Sequence, residues 1–576
     1  MNIKRLYLFI IAILGFGILE LPAQNLRIVT TGDVHGSFFY DDYSSAYHKS
    51  SLMAVKAYVD SLRMDLGDEN VLLLDAGDIL QGDNAAYYYN YVKTSDPHIY
   101  PQVASFMGYD VVVFGNHDIE TGHEVYDRVY KELVHNGIAV LGGNVIDVAT
   151  GRNYFPVYTM LEKAGMRVAV LGFNNANIKS WLPKRLWEGM EFISITDCAQ
   201  AIVDELRAKE KPDLVVMAVH SGTGKGDGSM LENQALDLLY TVKGVDVFVG
   251  AHDHRSMTLE HGKAVYVNSG SRAAAVGDVS ISYKKGICGR IKIKDKQAKV
   301  VRLDKEKVDE SMAEHFQQAR QEVVAYSQQV IGSLDMPLYS REAFAGMSDY
   351  INLLHSIQLE STGAQISFAA PLSFNSKVKE GEVRVNDLFS IYPYENQLFV
   401  MSMSGAEIKN YLEYSYNQWI VSGSQEHILR IKQGSDERSG SKKWSFVGRS
   451  YNFDSAGGLV YTVDITKDYG DRVVIVSLSN GSPFSLEASY NVAMTSYRAN
   501  GGGSLMTEGA GIEHGKLESR VVSRHPEIRE LIRDKFIKCG RIDSNTVSDK
   551  ALIGSWLFIP EDMAQRLMEK DMKLLF

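Results

Sequence analysis

The sequence predicts two α/β units in tandem, joined by a helical connection. Three observations carry this. At 576 residues the chain exceeds the size at which one hydrophobic core stops growing. From Leu26 to about Ser282, short runs rich in Val, Ile and Leu alternate with helix-like stretches, and from about Met347 a second alternation begins. Between them lie a charged stretch, Ile291 to about Glu310, and the segment Ser311–Ile331, which has helical composition and no Gly or Pro. That segment reads either as a connecting helix or as the closing helix of the first unit. The chain divides accordingly into residues 1–24, a first unit over 25–300, a linker region over 301–340, a second unit over 341–540 and a tail over 541–576. Trp556 and Phe558 suggest that the tail packs on a domain.

Residues 1–24 carry Lys4 and Arg5, an apolar stretch from Leu6 to Leu19, and Ala23 before Gln24. This is the pattern of a secretory signal peptide, with an uncleaved anchor as the alternative. No other stretch approaches the roughly 20 residues a membrane span needs. The expected location is periplasmic or extracellular, with no integral membrane segment in the mature chain. Cys198, Cys288 and Cys539 form neither a disulfide framework nor a zinc module. A formal net charge of −11 argues against tracking long nucleic acid, which needs basic surface. Small phosphorylated substrates stay compatible with it.

In the first unit, five apolar runs lead into Asp33-Val34-His35-Gly36, Asp75-Ala76-Gly77-Asp78, Gly115-Asn116-His117-Asp118, His220-Ser221-Gly222 and Gly250-Ala251-His252-Asp253-His254. Runs of this kind read as strands buried on both faces, and open α/β sheets bind ligands at the carboxyl ends of such strands. Oxygen and imidazole donors without thiolate suit Zn, Mn, Fe, Ca or Mg. Asp33, His35, Asp78 and His254 could hold one divalent ion, and Asp78, Asn116, His220 and His252 a second, with Asp78 bridging. Such a pair is used for in-line displacement at phosphorus, where it lowers the pKa of a shared water and neutralises phosphoryl oxygens. His117 remains as a general acid or a charge-stabilising imidazolium, with Asp118 expected to orient its ring. A ligand or plain loop role for His117 is the alternative.

At these residues, with Gln81-Gly82 after Gly77-Asp78, the chain resembles the calcineurin-like metallophosphoesterases, in the 5′-nucleotidase and 2′,3′-cyclic phosphodiesterase branch. The resemblance implies a metallophosphoesterase β-sandwich with flanking helices for the first unit, two divalent metal ions on the ligand split just given, and His117 with Asp118 as the catalytic dyad. It also implies a helical hinge between the domains.

In the second unit, Met347, Ile351, Leu354 and Ile357 form a helical stripe that reads as core. Tyr394 in Tyr392-Pro393-Tyr394-Glu395-Asn396 and Tyr497 before Gly501-Gly502-Gly503 could sandwich a base, with Asn396 reading its edge. Two locally bonded, half-buried tyrosines are the alternative. The resemblance favours the base clamp, since Tyr394, Asn396 and Tyr497 occupy the family's base-binding positions. The stretch Phe368–Asn375 lacks the Arg that typical 5′-nucleotidases carry there, and the usual Gly-Gly-Asp is Gly501-Gly502-Gly503. Ala369-Ala370-Pro371 and Tyr451-Asn452-Phe453-Asp454 instead look like the 2′,3′-cyclic-nucleotide 2′-phosphodiesterase/3′-nucleotidase subgroup. The expected substrate is thus a small nucleotide or cyclic nucleotide, with a 5′-nucleotidase or UDP-sugar hydrolase as the alternative.

Overall fold

The computed structural model describes residues 24–43, 48–286, 290–435 and 442–576. The signal-peptide expectation for residues 1–24 falls outside the described residues except for Gln24, and Cys288 falls outside them too. Among the described residues no helix is long and apolar enough to cross a membrane. Cys198 and Cys539 are free thiols.

The first unit is built on two six-stranded sheets. One runs in the order 291–302, 275–285, 24–31, 71–75, 111–113, 139–141, the other 256–261, 264–269, 247–250, 214–219, 166–173, 158–163. Leu26, Ile28, Leu72 and Val111 of the first sheet share one apolar cluster with Val168, Val170, Val216 and Val247 of the second, so the sheets pack face to face. Helices Leu52–Leu66, Ile99–Met107 and His123–His135 cover the outer face of the first sheet. Helices Ile195–Glu210 and Ala235–Thr241 cover that of the second. Buried on both sides, Val71–Asp75 and Leu214–Val219 are apolar without alternation. Strands 24–31, 71–75 and 111–113 are mutually parallel, as are 214–219 and 247–250. Their carboxyl ends, with the loops that follow them, meet at one rim of the sandwich.

The expected single helix over Ser311–Ile331 is instead two helices, Glu310–His315 and Gln317–Ser327, followed by strand Val330–Leu334. Met312, Phe316 and Val323 are buried in the first unit's core, so the reading of this segment as closing helix describes its packing. The charged stretch before it is mostly strand Ile291–Arg302, whose two faces alternate in burial and so read as polar.

The second unit carries a five-stranded sheet in the order 455–457, 366–369, 489–495, 397–404, 521–527. Helix Asp349–Thr362 presents Ile351, Leu354 and Ile357 to a core shared with Ala369, Leu398 and Ala493 of that sheet, while Met347 lies before the helix. Ser404 and Glu407 cap helix Gly405–Trp419 reciprocally. The tail is integral to this unit. Its strand Gly554–Ile559 pairs in parallel with Leu459–Asp464, and Trp556 stacks on Tyr461 at 5.6 Å between ring centroids. Helix Glu561–Leu575 closes the same core through Leu567 and Met568.

Candidate metal centre and substrate cleft

The rim loops gather the sequence-predicted ligand residues into two groups. Single ligand atoms of Asp33, His35 and His254 lie within 4.8 Å of one another, as do those of Asp78, His220 and His252. Asp33, His35, Asp78, His252 and His254 all have φ between 50° and 81°. Left-handed backbone at five non-glycine residues is costly and is tolerated where the surroundings over-determine it, commonly at functional sites. The loops are tied together: Asp33 N–H donates to Gly77 O at 2.8 Å and His35 N–H to Asp78 O at 2.9 Å. A Cβ on Gly115 would stand 2.1 Å from Asp78 Oδ1 and 2.6 Å from His220 Cε1. Only glycine lets this strand end approach so closely.

The imidazoles are pre-oriented. His35 Nδ1 faces Gln81 O at 3.0 Å and His220 Nδ1 faces Ala76 O at 2.8 Å. A carbonyl only accepts, so each Nδ1 carries a proton and Nε2 is the nitrogen left to face a cation. His35 Nε2 stands 3.0 Å from His254 Nε2. Asn116 Oδ1 stands 3.2 Å from His220 Nε2 and 2.9 Å from His252 Nδ1, while Asp78 Oδ2 is 3.1 Å from His220 Nε2. Electron-pair donors crowded in this way suit a cation between them, so the residues fit two divalent ions. Burial pushes the His35 imidazole well below its ordinary range and that of His254 down to about 4, which keeps both in the neutral, ligating form.

His117 lies at the mouth of this site, its ring centroid 5.5 Å from that of His35. The expectation that Asp118 orients His117 is corrected. Asp118 is fully buried, and its carboxylate accepts from the backbone N–H groups of Asp78, Ile79, Leu80 and Gly115 at 2.7–2.9 Å. It shapes the loops that present the ligands. The partner of His117 Nδ1 is Glu120 Oε2 at 2.7 Å, one helical turn on, and Gln81 Nε2 donates to the same oxygen at 2.9 Å. Burial lowers the His117 pKa, but Asp78 and Glu120 outweigh it and raise the value to about 9.

Tyr497 sits on the short helix Ser496–Ala499, which packs against helix Ile178–Trp181, and Trp181 in turn stacks on His252. Tyr451, Glu232 and Tyr394 are among the groups that act on the Tyr497 hydroxyl. Asn396 is corrected as a freely presented base reader: it is buried and its Nδ2 donates to the Tyr392 hydroxyl at 3.4 Å. Behind Tyr497, Arg498 makes a bidentate pair with Asp454 at 2.9 and 3.0 Å and donates to Asn452 Oδ1, Tyr451 O and Gly502 O. This ties the Tyr451 and Tyr497 segments together. A Cβ on Gly503, whose φ is +71°, would stand 2.4 Å from both Arg498 Nη1 and Asn452 Oδ1. That space excludes the Asp expected after Gly-Gly.

Comparison with known proteins matches residues 26–256 to the calcineurin-like phosphoesterase family and residues 324–508 to the 5′-nucleotidase C-terminal domain. The chain belongs to the metallophosphoesterase–5′-nucleotidase family. This phosphoesterase is 23% identical to a 2′,3′-cyclic-nucleotide 2′-phosphodiesterase/3′-nucleotidase of Yersinia enterocolitica, over 84% of the chain and 82% of that protein. It is 23% identical to the trifunctional nucleotide phosphoesterase YfkN of Bacillus subtilis over 94% of the chain, but spans only 39% of that longer protein. A Staphylococcus aureus protein crystallised with α-ketoglutarate shares its fold at a TM-score of 0.75 and 20% identity, over 93% and 99% of the two chains. A 5′-nucleotidase precursor from Thermus thermophilus shares it at 0.62 and 21%, over 93% and 100%.

Several residues of the phosphoesterase's site escape sequence reasoning. Glu120 is visible only once Asn116–Glu120 is known to be helical, which puts i and i+3 on one face. Glu232 accepts from His252 Nε2 at 3.1 Å, and Trp181 stacks on that ring at 5.3 Å. Trp181 ends the short helix Ile178–Trp181 and Glu232 lies in the loop after His220, and no local pattern marks either.

Proposed function

We propose that the protein is an exported, two-metal nucleotide phosphohydrolase acting on 2′,3′-cyclic nucleotides and 3′-nucleotides. The observation that carries this reading is the pair of candidate ligand groups, with the helix that bears Tyr497 packed on the helix whose Trp181 stacks on His252. Divalent cations held there would supply hydroxide near neutral pH and offset charge on the phosphoryl oxygens. Asp33, His35 and His254 would hold one cation, Asn116, His220 and His252 the other, with Asp78 shared. The chain's own work is positional and acid–base. His117, oriented by Glu120, delivers a proton to the leaving oxygen. Tyr394 and Tyr497 hold the base, which for a phosphate fused to the ribose also sets the position of phosphorus. The subgroup rests on Ala369-Ala370-Pro371, on the missing Arg in Phe368–Asn375, and on relatives named as cyclic phosphodiesterase/3′-nucleotidases.

A 5′-nucleotidase reading is favoured instead by a Vibrio cholerae relative of that name, 23% identical over 70% of the chain. The test is kcat/KM for 2′,3′-cyclic AMP, 3′-AMP and 5′-AMP, side by side on metal-reconstituted protein. Preference for the first two is expected, and preference for 5′-AMP would transfer the assignment to 5′-nucleotidase. No hydrolysis despite bound metal would leave a nucleotide-binding relative. Export is checked by the amino terminus of the mature protein, expected near Gln24.

A further inference from the structure

We infer that Arg272 and Arg449, one from each domain, form a cationic clamp for the phosphate of the bound substrate. This rests on the phosphohydrolase reading and adds to it the groups that recognise the anion, which the segment Phe368–Asn375 does not supply.

Arg272 follows strand Ala264–Ser269, whose neighbour Val247–Gly250 leads into His252 and His254. Its backbone N–H donates to Asp33 O at 2.8 Å, so the turn is fastened to a candidate metal ligand. Arg272 and Ala273 are consecutive non-glycine residues at φ +54° and +53°. A strained pair of this kind persists where surrounding contacts hold it, commonly at binding sites. The Arg272 side chain is exposed, and Nη1 approaches Gly82 O at 3.5 Å, on the loop that packs against His35. The guanidinium lies within electrostatic reach of His35, His254 and Tyr394. Tied to Asp33 through its backbone and to Gly82 through its side chain, it stands beside the ligand group of Asp33 and His35.

Arg449 precedes the short helix Ser450–Asn452 of the second domain. It too is exposed, and it lies two residues before Tyr451, whose carbonyl accepts from Arg498 next to Tyr497. Among the described residues neither guanidinium forms an ion pair with a carboxylate, whereas Arg498 and Arg529 nearby both do. Two unpaired cations beside a site built for divalent ions repel one another and the metals until an anion enters. A phosphoryl group supplies that anion, and a guanidinium fork matches its oxygens. Arg272 reaches it from the metal-bearing domain and Arg449 from the base-holding one.

The experiment compares wild type, Arg272→Gln, Arg272→Lys and Arg449→Gln as full-length, metal-reconstituted proteins. It reads metal content, binding of inorganic phosphate by calorimetry, inhibition by adenosine, and KM against kcat for 2′,3′-cyclic AMP and the base-free diester bis(p-nitrophenyl) phosphate. Losing a charged hydrogen-bond donor should weaken phosphate binding about ten- to hundredfold in Arg272→Gln and raise KM for both esters. Metal content and adenosine inhibition should be unchanged, Arg272→Lys should recover part of the loss, and Arg449→Gln should show a smaller loss of the same kind. Unchanged phosphate binding in both Gln variants would overturn the clamp, as would an equal loss of phosphate and adenosine. If wild type cleaves the base-free diester and no nucleotide, the nucleotide reading fails while phosphate binding still decides the role of the arginines.

Discussion

At the scale of single residues, the proton path is the most exposed part of the reading. Glu120 holds His117 Nδ1 while sharing its oxygen with Gln81, so Glu120→Gln replaces a charged acceptor with a neutral amide. The expected outcome is a fall in kcat of about 10- to 100-fold with metal content unchanged, within the range that general acid catalysis contributes. Glu120 is one of the groups raising His117, so its neutralisation shifts the alkaline limb of the kcat profile to lower pH. An unchanged profile and rate would return His117 to a passive role. Asp78→Asn removes the carboxylate proposed to be shared by both ions, and its measured metal content should fall at both sites. Retention of two metals would break the bridging assignment. The candidate ligand residues were legible in sequence because each follows a buried strand, whereas Glu120 and Glu232 were not. Asp118 was misread for a physical reason: adjacency in sequence suggested contact with His117, but the fold turns that carboxylate inward onto four backbone N–H groups.

At the scale of elements, sequence periodicity was informative where strands are buried on both faces and poor where they are not. Val71–Asp75 and Leu214–Val219 announce themselves as apolar runs, while Ile291–Arg302 hides as a charged stretch because one face is solvated. The tail could not be placed from sequence, since its strand is defined by a parallel partner, Leu459–Asp464, nearly a hundred residues earlier. Its packing gives a concrete expectation. Trp556 is buried against Tyr461, Tyr416 and Trp419, so Trp556→Ala should cost about 3–5 kcal/mol of second-domain stability. Denaturant unfolding would measure this, and a loss under about 1 kcal/mol would show that the tail is dispensable to that core. Gly115→Ala tests the opposite end of the chain. The methyl group would collide with Asp78 and His220, and Gly115 is the N-cap of helix Asn116–Glu120, a position that disfavours Ala, so metal content should fall.

At the scale of the whole molecule, the two domains meet through groups that titrate. Asn84 donates to Ser327 Oγ and to Asn386 Oδ1, Tyr91 donates to Glu395 Oε2 at 3.1 Å, and Arg529 lies 3.7 Å from Glu395 and 3.5 Å from Glu527. Arg529 also sits over the rings of Tyr87 and Phe389. One cation thus faces two carboxylates, Glu395 buried and Glu527 partly buried, with Glu530 and Glu120 adding negative charge nearby. Burial, only partly offset by Arg529, raises Glu395 to about 7 and Glu527 to about 8. A raised carboxyl pKa means that the folded chain binds more protons than the unfolded one between the ordinary carboxylate range and about pH 8. By linkage, stability then falls as pH rises through that window. The melting temperature should decline from about pH 5 to pH 8 in wild type, and Glu527→Gln should flatten the decline by fixing one member of the pair in its neutral state. The same variant separates stability from geometry. If the interface also limits domain movement, its KM for 2′,3′-cyclic AMP should lose pH dependence over the same range. An equally steep decline in the variant would mean that the Arg529 pair holds both carboxylates ionised and that the interface is indifferent to pH.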